Sequence, residues 1–296
     1  MVVWAWLGVV FAVATACASS GVPVAGVGSA SSGPVATIRV VVAPGTTAED
    51  TAHTYDVIAA RSNAFGGTVT HDGDTIVVTV PTAVASAAAH LVTQPGELQF
   101  RPVLGEYPPD TSTPDSVKAN CTASATTPEC LLAVPETPQL TSPADLANPD
   151  ARNQVVVLAQ LDPKTSETVA IFKLGPTLLD DTALVGATAD NDSPNGEWQV
   201  NPVFLDGQHG IDLLNAVAAH CYASDAVCPQ IGGSASHGQL AVVLDNHVVT
   251  APTIDAPSFT KDEIRISGAF DEASADTLAA ILNSGPLPAA VTATSG

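Results

Sequence analysis

A chain of 296 residues with 30 acidic and 9 basic side chains carries a formal net charge of -21, which repels both the phosphate backbone of nucleic acid and the acidic surface of a membrane. Charge excludes both as partners. Aromatic residues make up 4% of the chain and Ala and Val supply much of the apolar content, so small-residue cores in two subdomains are expected instead of one large aromatic centre.

Val2 to Ala16 is apolar and is followed by Cys17 and a Ser, Gly, Ala and Pro tract reaching Gly33. A stretch of about fifteen residues falls short of the roughly 20 that cross a bilayer as a helix and matches the apolar region of an export signal. Residues 1–16 are therefore expected to be a signal peptide and residues 17–35 a flexible tether. Ala14-Thr15-Ala16-Cys17 resembles a bacterial lipobox, with Ala14 where Leu or Val is usual and no Lys or Arg before the apolar run. Cys17 is the predicted lipidation site, which places the chain on the extracytoplasmic face of the cell membrane, or in the secreted fraction if no lipid is added. No apolar run after residue 17 approaches membrane length, so contact with the membrane is expected through that anchor alone.

The body begins with a strand at Thr37 to Val42, a helix from Ala48 to Phe65, two strands around Asp72-Gly73-Asp74, a helix from Ala83 to Leu91 and a strand at Leu98 to Val103. This alternation predicts an α+β fold with a split base of ferredoxin-like type, completed only when a C-terminal helix and a strand near Leu287 to Val291 return to it. The material between is an inserted α+β head. Residues 105–152 hold eight prolines and little periodicity, which predicts a long loop excursion. Asn153 to Leu161 and Thr168 to Leu174 read as strands, and Gly210 to His220 as an amphipathic helix bearing Ile211, Leu213, Leu214 and Val217.

The last quarter is the most specific part. Leu240 to Leu244 and His247 to Thr250 are β-branched runs separated by Asp245-Asn246, a pair suited to a two-residue hairpin turn with positive φ. Ile264, Ile266 and Gly268 alternate with Arg265 and Ser267 as a half-buried strand. Asp271 can cap a helix from Glu272 to Asn283, which Ser284-Gly285 closes and Pro286 ends.

Val243-Leu244-Asp245-Asn246, Thr250-Ala251-Pro252-Thr253-Ile254, Ile266-Ser267-Gly268-Ala269-Phe270 and Leu282-Asn283-Ser284-Gly285-Pro286-Leu287-Pro288 follow the order VLDG, SAPTI, ITG-F, helix, L-x-x-G-x-LP of the first extracytoplasmic domain of SecD, the accessory membrane subunit of bacterial protein export, which this chain resembles. Asn246 replaces the usual turn glycine and also tolerates the left-handed conformation. Upstream, Lys173 to Thr177, Gly186 to Ala189 and Trp198 to Val200 are similar to the opening of the family's head, and Glu97 to Val103 to part of its base. The layout implied is a base at 36–104, an excursion at 105–152, a head at 153–270 and a return to the base at 271–296. On that layout, Leu104 and Ser267-Gly268 are the hinge candidates.

Of the five cysteines, Cys121, Cys130, Cys221 and Cys228 make an even set once Cys17 carries lipid, and local spacing favours pairing Cys121 with Cys130 and Cys221 with Cys228. Motifs of catalysis are missing: there is no H-E-x-x-H, G-x-S-x-G, P-loop or C-x-x-C. His220 beside Cys221 suits a helix end better than a metal ligand. Asp190 to Glu197 is only superficially like a calcium loop, with Gly196 at the seventh position and Pro194 at the fifth. Asp180-Asp181 has no neighbouring nucleophile or oxyanion site and reads as a solvated pair.

No catalytic residue, metal or cofactor is expected. In the family the head is thought to engage emerging polypeptide and to swing on the base, while transmembrane helices take in proton energy. The resemblance therefore implies a non-catalytic module without that motor, binding exported polypeptide or an envelope protein through sheet edges, sheet faces or apolar grooves. Two other readings remain: a scaffold in an envelope complex, and a hydrolase or metal-binding enzyme built on this fold.

Overall fold

The computed structural model describes residues 33–73, 75–109, 152–162, 165–192, 196–231 and 236–295. The expected signal peptide, Cys17, most of the expected tether, most of the expected excursion at 105–152, Cys121 and Cys130 lie outside the described residues.

The first layer is a four-stranded sheet of β1 (Val35–Val42), β2 (Thr68–Asp72), β3 (Thr75–Pro81) and β13 (Val291–Ser295) in the order β13-β1-β3-β2. Every neighbouring pair is antiparallel. The alternation in β1 and β3 sends Ile38, Val40, Ile76, Val78 and Val80 to one face, where helices α1 (Ala48–Asn63) and α2 (Ala85–Thr93) cover them with Ile58, Ala88 and Val92. Thr47 caps α1 by accepting from the Asp50 amide at 3.1 Å, which satisfies one of the orphan donors of the first turn. The opposite face is open, with Arg39, Val41, Thr68, Thr70, Thr292 and Thr294 exposed. The closing strand starts at Val291, later than the expected Leu287. Pro286 and Pro288 have no amide hydrogen to give to a ladder, and Leu287 instead donates to the Pro95 carbonyl at 2.7 Å.

Strand β4 (Leu98–Tyr107), read from the sequence as part of the base, pairs elsewhere. It lies antiparallel to β10 (Leu240–Leu244) on one side and to β6 (Thr168–Leu174) and the short β7 (Leu179–Asp180) on the other. Strand β5 (Val156–Leu161) pairs with β6, and β11 (His247–Thr250) with β10. A parallel pairing of Val248 with Gln160 joins β11 to β5, so the five strands β10-β11-β5-β6-β4 form a ring that returns to β10. The Gln160 side-chain amide reinforces that seam by donating to the Val249 carbonyl at 3.1 Å. A ring flanks each member strand on both sides, which removes the edges that strand addition needs.

Val103, Val156, Leu158, Phe172, Leu174, Ala241, Val243 and Val248 make one core of this ring. Arg101, opposite Ala241 and therefore on the same face, is fully buried there. Its guanidinium donates to Gln99 Oε1 at 2.7 Å, the Gly175 carbonyl at 2.8 Å and the Gln154 carbonyl at 3.0 Å. Burial pulls its pKa down to about 10.

The other side of β4 and β10 packs into a larger core with α3 (Ile211–Ala223), α4 (Glu272–Ser284) and a three-stranded sheet of β8 (Leu184–Asp190), β9 (Gln199–Phe204) and β12 (Ile266–Ser267) in the order β12-β9-β8. The strand expected over Ile264 to Gly268 is thus only two residues long. Helix α4, expected to complete the base, gives Ala275, Leu278, Ala279 and Leu282 to this head core. A disulfide joins Cys221 at the end of α3 to Cys228 in the following loop, and both residues are buried.

Candidate polypeptide-binding groove and the joint beside it

The turn between β10 and β11 puts Asp245 at φ 49° and Asn246 at φ 69°, the two left-handed residues that a tight hairpin of this twist requires. Helix α4 starts at Asp271, whose carboxylate accepts from the Ser274 amide at 2.9 Å while Ser274 Oγ accepts from the Asp271 amide at 2.9 Å, a reciprocal cap. Between hairpin and helix runs a groove of about 440 Å³. Leu244 and Val249 of the hairpin, Leu278 and Ile281 of α4, and Phe270 line it with apolar side chains. Gln94, Asp271, Ser274 and Thr277 supply the polar positions, and no Lys or Arg among the described residues lines it. A cleft with apolar walls and few polar groups suits an extended chain that offers apolar side chains. A second cavity of about 170 Å³ lies in the head between Leu214 of α3, Val242 of β10 and the stretch from Pro252 to Ile266.

One end of the groove meets the joint where the chain leaves the base. Arg61 of α1 is fully buried and holds that joint together. Its guanidinium donates to the Leu91 carbonyl at 3.1 Å, the Pro95 carbonyl at 3.3 Å, the Gly285 carbonyl at 2.9 Å and Ser284 Oγ at 3.0 Å, and also to the Gln94 carbonyl. Both connections between the four-stranded sheet with its two helices and the rest of the described residues, at 94–97 and 284–287, are thereby tied to one side chain. Burial lowers the Arg61 pKa to about 10, against the opposing pull of the Asp245 carboxylate. Gly96 sits at φ +81°, and a Cβ there would overlap Arg61 Nη2.

On the other side of Gly96 stands Asp245. Its Oδ1 accepts from the Gly96 amide at 2.7 Å and the Glu97 amide at 2.8 Å, while its buried Oδ2 has no hydrogen-bond partner among the described residues. Burial raises the Asp245 carboxyl, and the two amides, Arg61 and His247 only partly offset it. The aspartate read from the sequence as a turn residue is thus also the head's contact with the joint. Arg61 was not singled out in the sequence, because nothing in its local pattern separates it from an exposed helical arginine.

The sequence-derived sites are scattered. Asp180 accepts from the Thr182 amide at 3.1 Å and pairs with Arg152, which also bridges to Glu97; the pair Asp180-Asp181 is therefore structural and not simply solvated. Burial pushes the Asp181 and Glu97 carboxyls up. His220 Nδ1 lies 2.6 Å from Asp225 Oδ2 at an exposed helix end. The Asp190 carboxylate is taken by Gln199 at 2.9 Å and by Asn201, both on β9. Among the described residues no group of three or more His, Cys, Asp or Glu could hold a metal ion. Leu104 falls where the β4–β6 register shifts, inside the ring, and Ser267-Gly268 ends β12.

Residues 156–289 match the family model of the SecDF P1 head subdomain. The SecDF protein translocase subunit of Brucella abortus biovar 1 (strain 9-941) is 47% identical over 57 residues, which is 19% of this chain and 7% of that protein. A crystal structure of SecDF in its super-membrane-facing form superposes with a TM-score of 0.53 over 88% of this chain and 30% of that one, at 22% identity. The chain carries a SecD-like P1 domain. The matched segment of this SecD-like domain runs from β5 through α4 and contains every residue named for the groove except Gln94. The chain spans only a small part of these two relatives, and no helix among the described residues is long and apolar enough to cross a membrane.

Proposed function

We propose that this SecD-like domain works outside the cytoplasm as a non-catalytic, peptide-engaging module accessory to protein export, held at the membrane by lipid on Cys17. The observation that carries the reading is the apolar groove between β10–β11 and α4, because it lies in the segment that resembles the head and offers walls for apolar side chains. Of the sheet edges, sheet faces and apolar grooves that the sequence offered, the ring of strands favours the groove over strand addition to its own members. The sheet order β13-β1-β3-β2 with α1 and α2 on one face supports a ferredoxin-like base. The export role is carried over from the translocase subunit that the chain resembles over 57 residues.

A photo-crosslinking residue placed at Thr277 in intact cells tests this. Many different exported chains, identified by mass spectrometry, are expected in the crosslinks. A single stoichiometric envelope protein would point to a scaffold instead, and an absence of crosslinks would contradict groove binding. Cys17→Ser should release the protein from the membrane fraction.

A further inference from the structure

Side chains alternate along β10, so Leu240, Val242 and Leu244 lie on one face of it. Leu240 and Val242 line the second cavity, and Leu244 lines the groove. A neighbouring stretch repeats that order: Ile264 and Ile266 line the cavity, and Ala269 and Phe270 the groove. Cavity and groove therefore follow one another along the same two segments. From Leu240 to Leu244 is about 13 Å of extended chain.

The cavity suits an apolar group. Phe100, Leu214, Ala218, Leu240 and Val242, all among its lining residues, are each at most 5% exposed. Glu263 and Arg265, both exposed, also line it and bring it to the surface. Their own loop engages them: the Glu263 carboxylate accepts from the Thr260 amide at 2.7 Å and from Thr260 Oγ1 at 2.9 Å, and Arg265 donates to the Asp262 carbonyl at 2.9 Å. A polar side chain entering the cavity would lose its water and find little in return. An apolar cavity of about 150 Å³ takes up benzene, so one of about 170 Å³ admits a single ring or branched alkyl group.

We propose that the second cavity is an anchor pocket for the same polypeptide: it takes one Phe- or Leu-sized side chain of an extended segment whose apolar residues, four positions away, occupy the groove. This rests on the groove being the polypeptide site. An extended chain places its side chains on alternate sides, so a spacing of four keeps both groups facing the head and a spacing of three turns one of them away. The substrate class is thus an extended segment with bulky apolar residues at i and i+4.

Two measurements on the full chain separate the pocket from the groove. Benzene should bind saturably and raise the melting temperature, and Ala218→Leu, which fills the cavity, should abolish that effect. Benzene without effect, or an effect that Ala218→Leu keeps, would overturn the pocket. The second measurement uses fluorescent, charge-free peptides of about 14 residues. Each carries two Leu residues on one side of the extended chain and, beyond them, a Phe at a spacing of four, a Phe at a spacing of three, or Ser in place of Phe. The spacing-four peptide should bind about tenfold more tightly than the Ser peptide, as burial of one large apolar side chain predicts, and the spacing-three peptide should bind like the Ser peptide. In Ala218→Leu the spacing-four peptide should fall to the affinity of the Ser peptide. Equal affinity of all three peptides for the unsubstituted protein would overturn the anchor pocket and leave the groove reading intact. No binding of any peptide, even with benzene bound, would overturn the groove reading and the anchoring that rests on it. Should Ala218→Leu not fold, the three peptides on the unsubstituted protein decide the matter.

Discussion

The side-chain amide of Asn283 on α4 pairs with the backbone of Ala187 on β8 as another strand would: Oδ1 accepts from the Ala187 amide at 2.8 Å and Nδ2 donates to the Ala187 carbonyl at 2.9 Å. Gly186 makes room for it, since a Cβ there would overlap Asn283 Oδ1. One side chain thereby occupies the outer edge of β8 and ties α4 to the head. Asn283→Leu should lower the unfolding free energy by about 1–3 kcal/mol, because it leaves both backbone groups without partners. Urea denaturation reads that loss, and light scattering should show self-association through the uncovered edge.

Arg61 should be the most sensitive position in the joint. Arg61→Met leaves the carbonyls of Leu91, Pro95 and Gly285 without this donor and should cost about 3 kcal/mol or more by denaturant titration. Arg61→Lys should recover little, since a single ammonium cannot reproduce a planar fork that spans several carbonyls.

Asp181 has a raised carboxyl, chiefly through burial and then through the neighbouring Asp180 charge, and its buried Oδ1 has no hydrogen-bond partner among the described residues. A raised folded-state value means that this group contributes stability below its ordinary value of 3.8 and loses that contribution as pH rises through the folded value. Asp181→Asn should therefore raise the melting temperature at pH 7 and have little effect near pH 3. Thermal unfolding followed by circular dichroism at the two pH values checks the sign.

The bridge between Cys221 and Cys228 closes a short loop, with a sequence separation of 7. Replacing both residues by Ala should cost about 2–3 kcal/mol, as the chain-entropy account of so small a loop predicts. Differential scanning calorimetry with and without reductant should place the unsubstituted, reduced protein near the double variant.

Local chemistry was legible in the sequence wherever it acts over a few residues. Asp245-Asn246 marked the hairpin because few other residue pairs accept two positive φ values, and Asp271 marked the start of α4 because a carboxylate there satisfies orphan amides. What local pattern could not give was partnership over long distances. Leu98 to Tyr107 reads as a strand, but its place in the ring depends on β6, about 70 residues away, and on β10, about 140 residues away. Ring closure rests on Val248 meeting Gln160, which no periodicity announces. The groove gathers Gln94, Leu244, Phe270 and Ile281 from four segments, each of which reads as ordinary core or loop. Asp245 carried a family motif, but its second role appears only when Gly96 and Arg61 are placed beside it.

The central claim is that the groove between β10–β11 and α4 takes up extended polypeptide. Its most direct test is fluorescence anisotropy with a charge-free Leu-rich peptide, comparing the unsubstituted protein with Thr277→Trp, which fills the groove, and with Thr70→Trp on the open face of the base sheet. Saturable binding that is lost in Thr277→Trp and kept in Thr70→Trp is the predicted result. An absence of binding, or binding that Thr277→Trp leaves unchanged, would contradict the account.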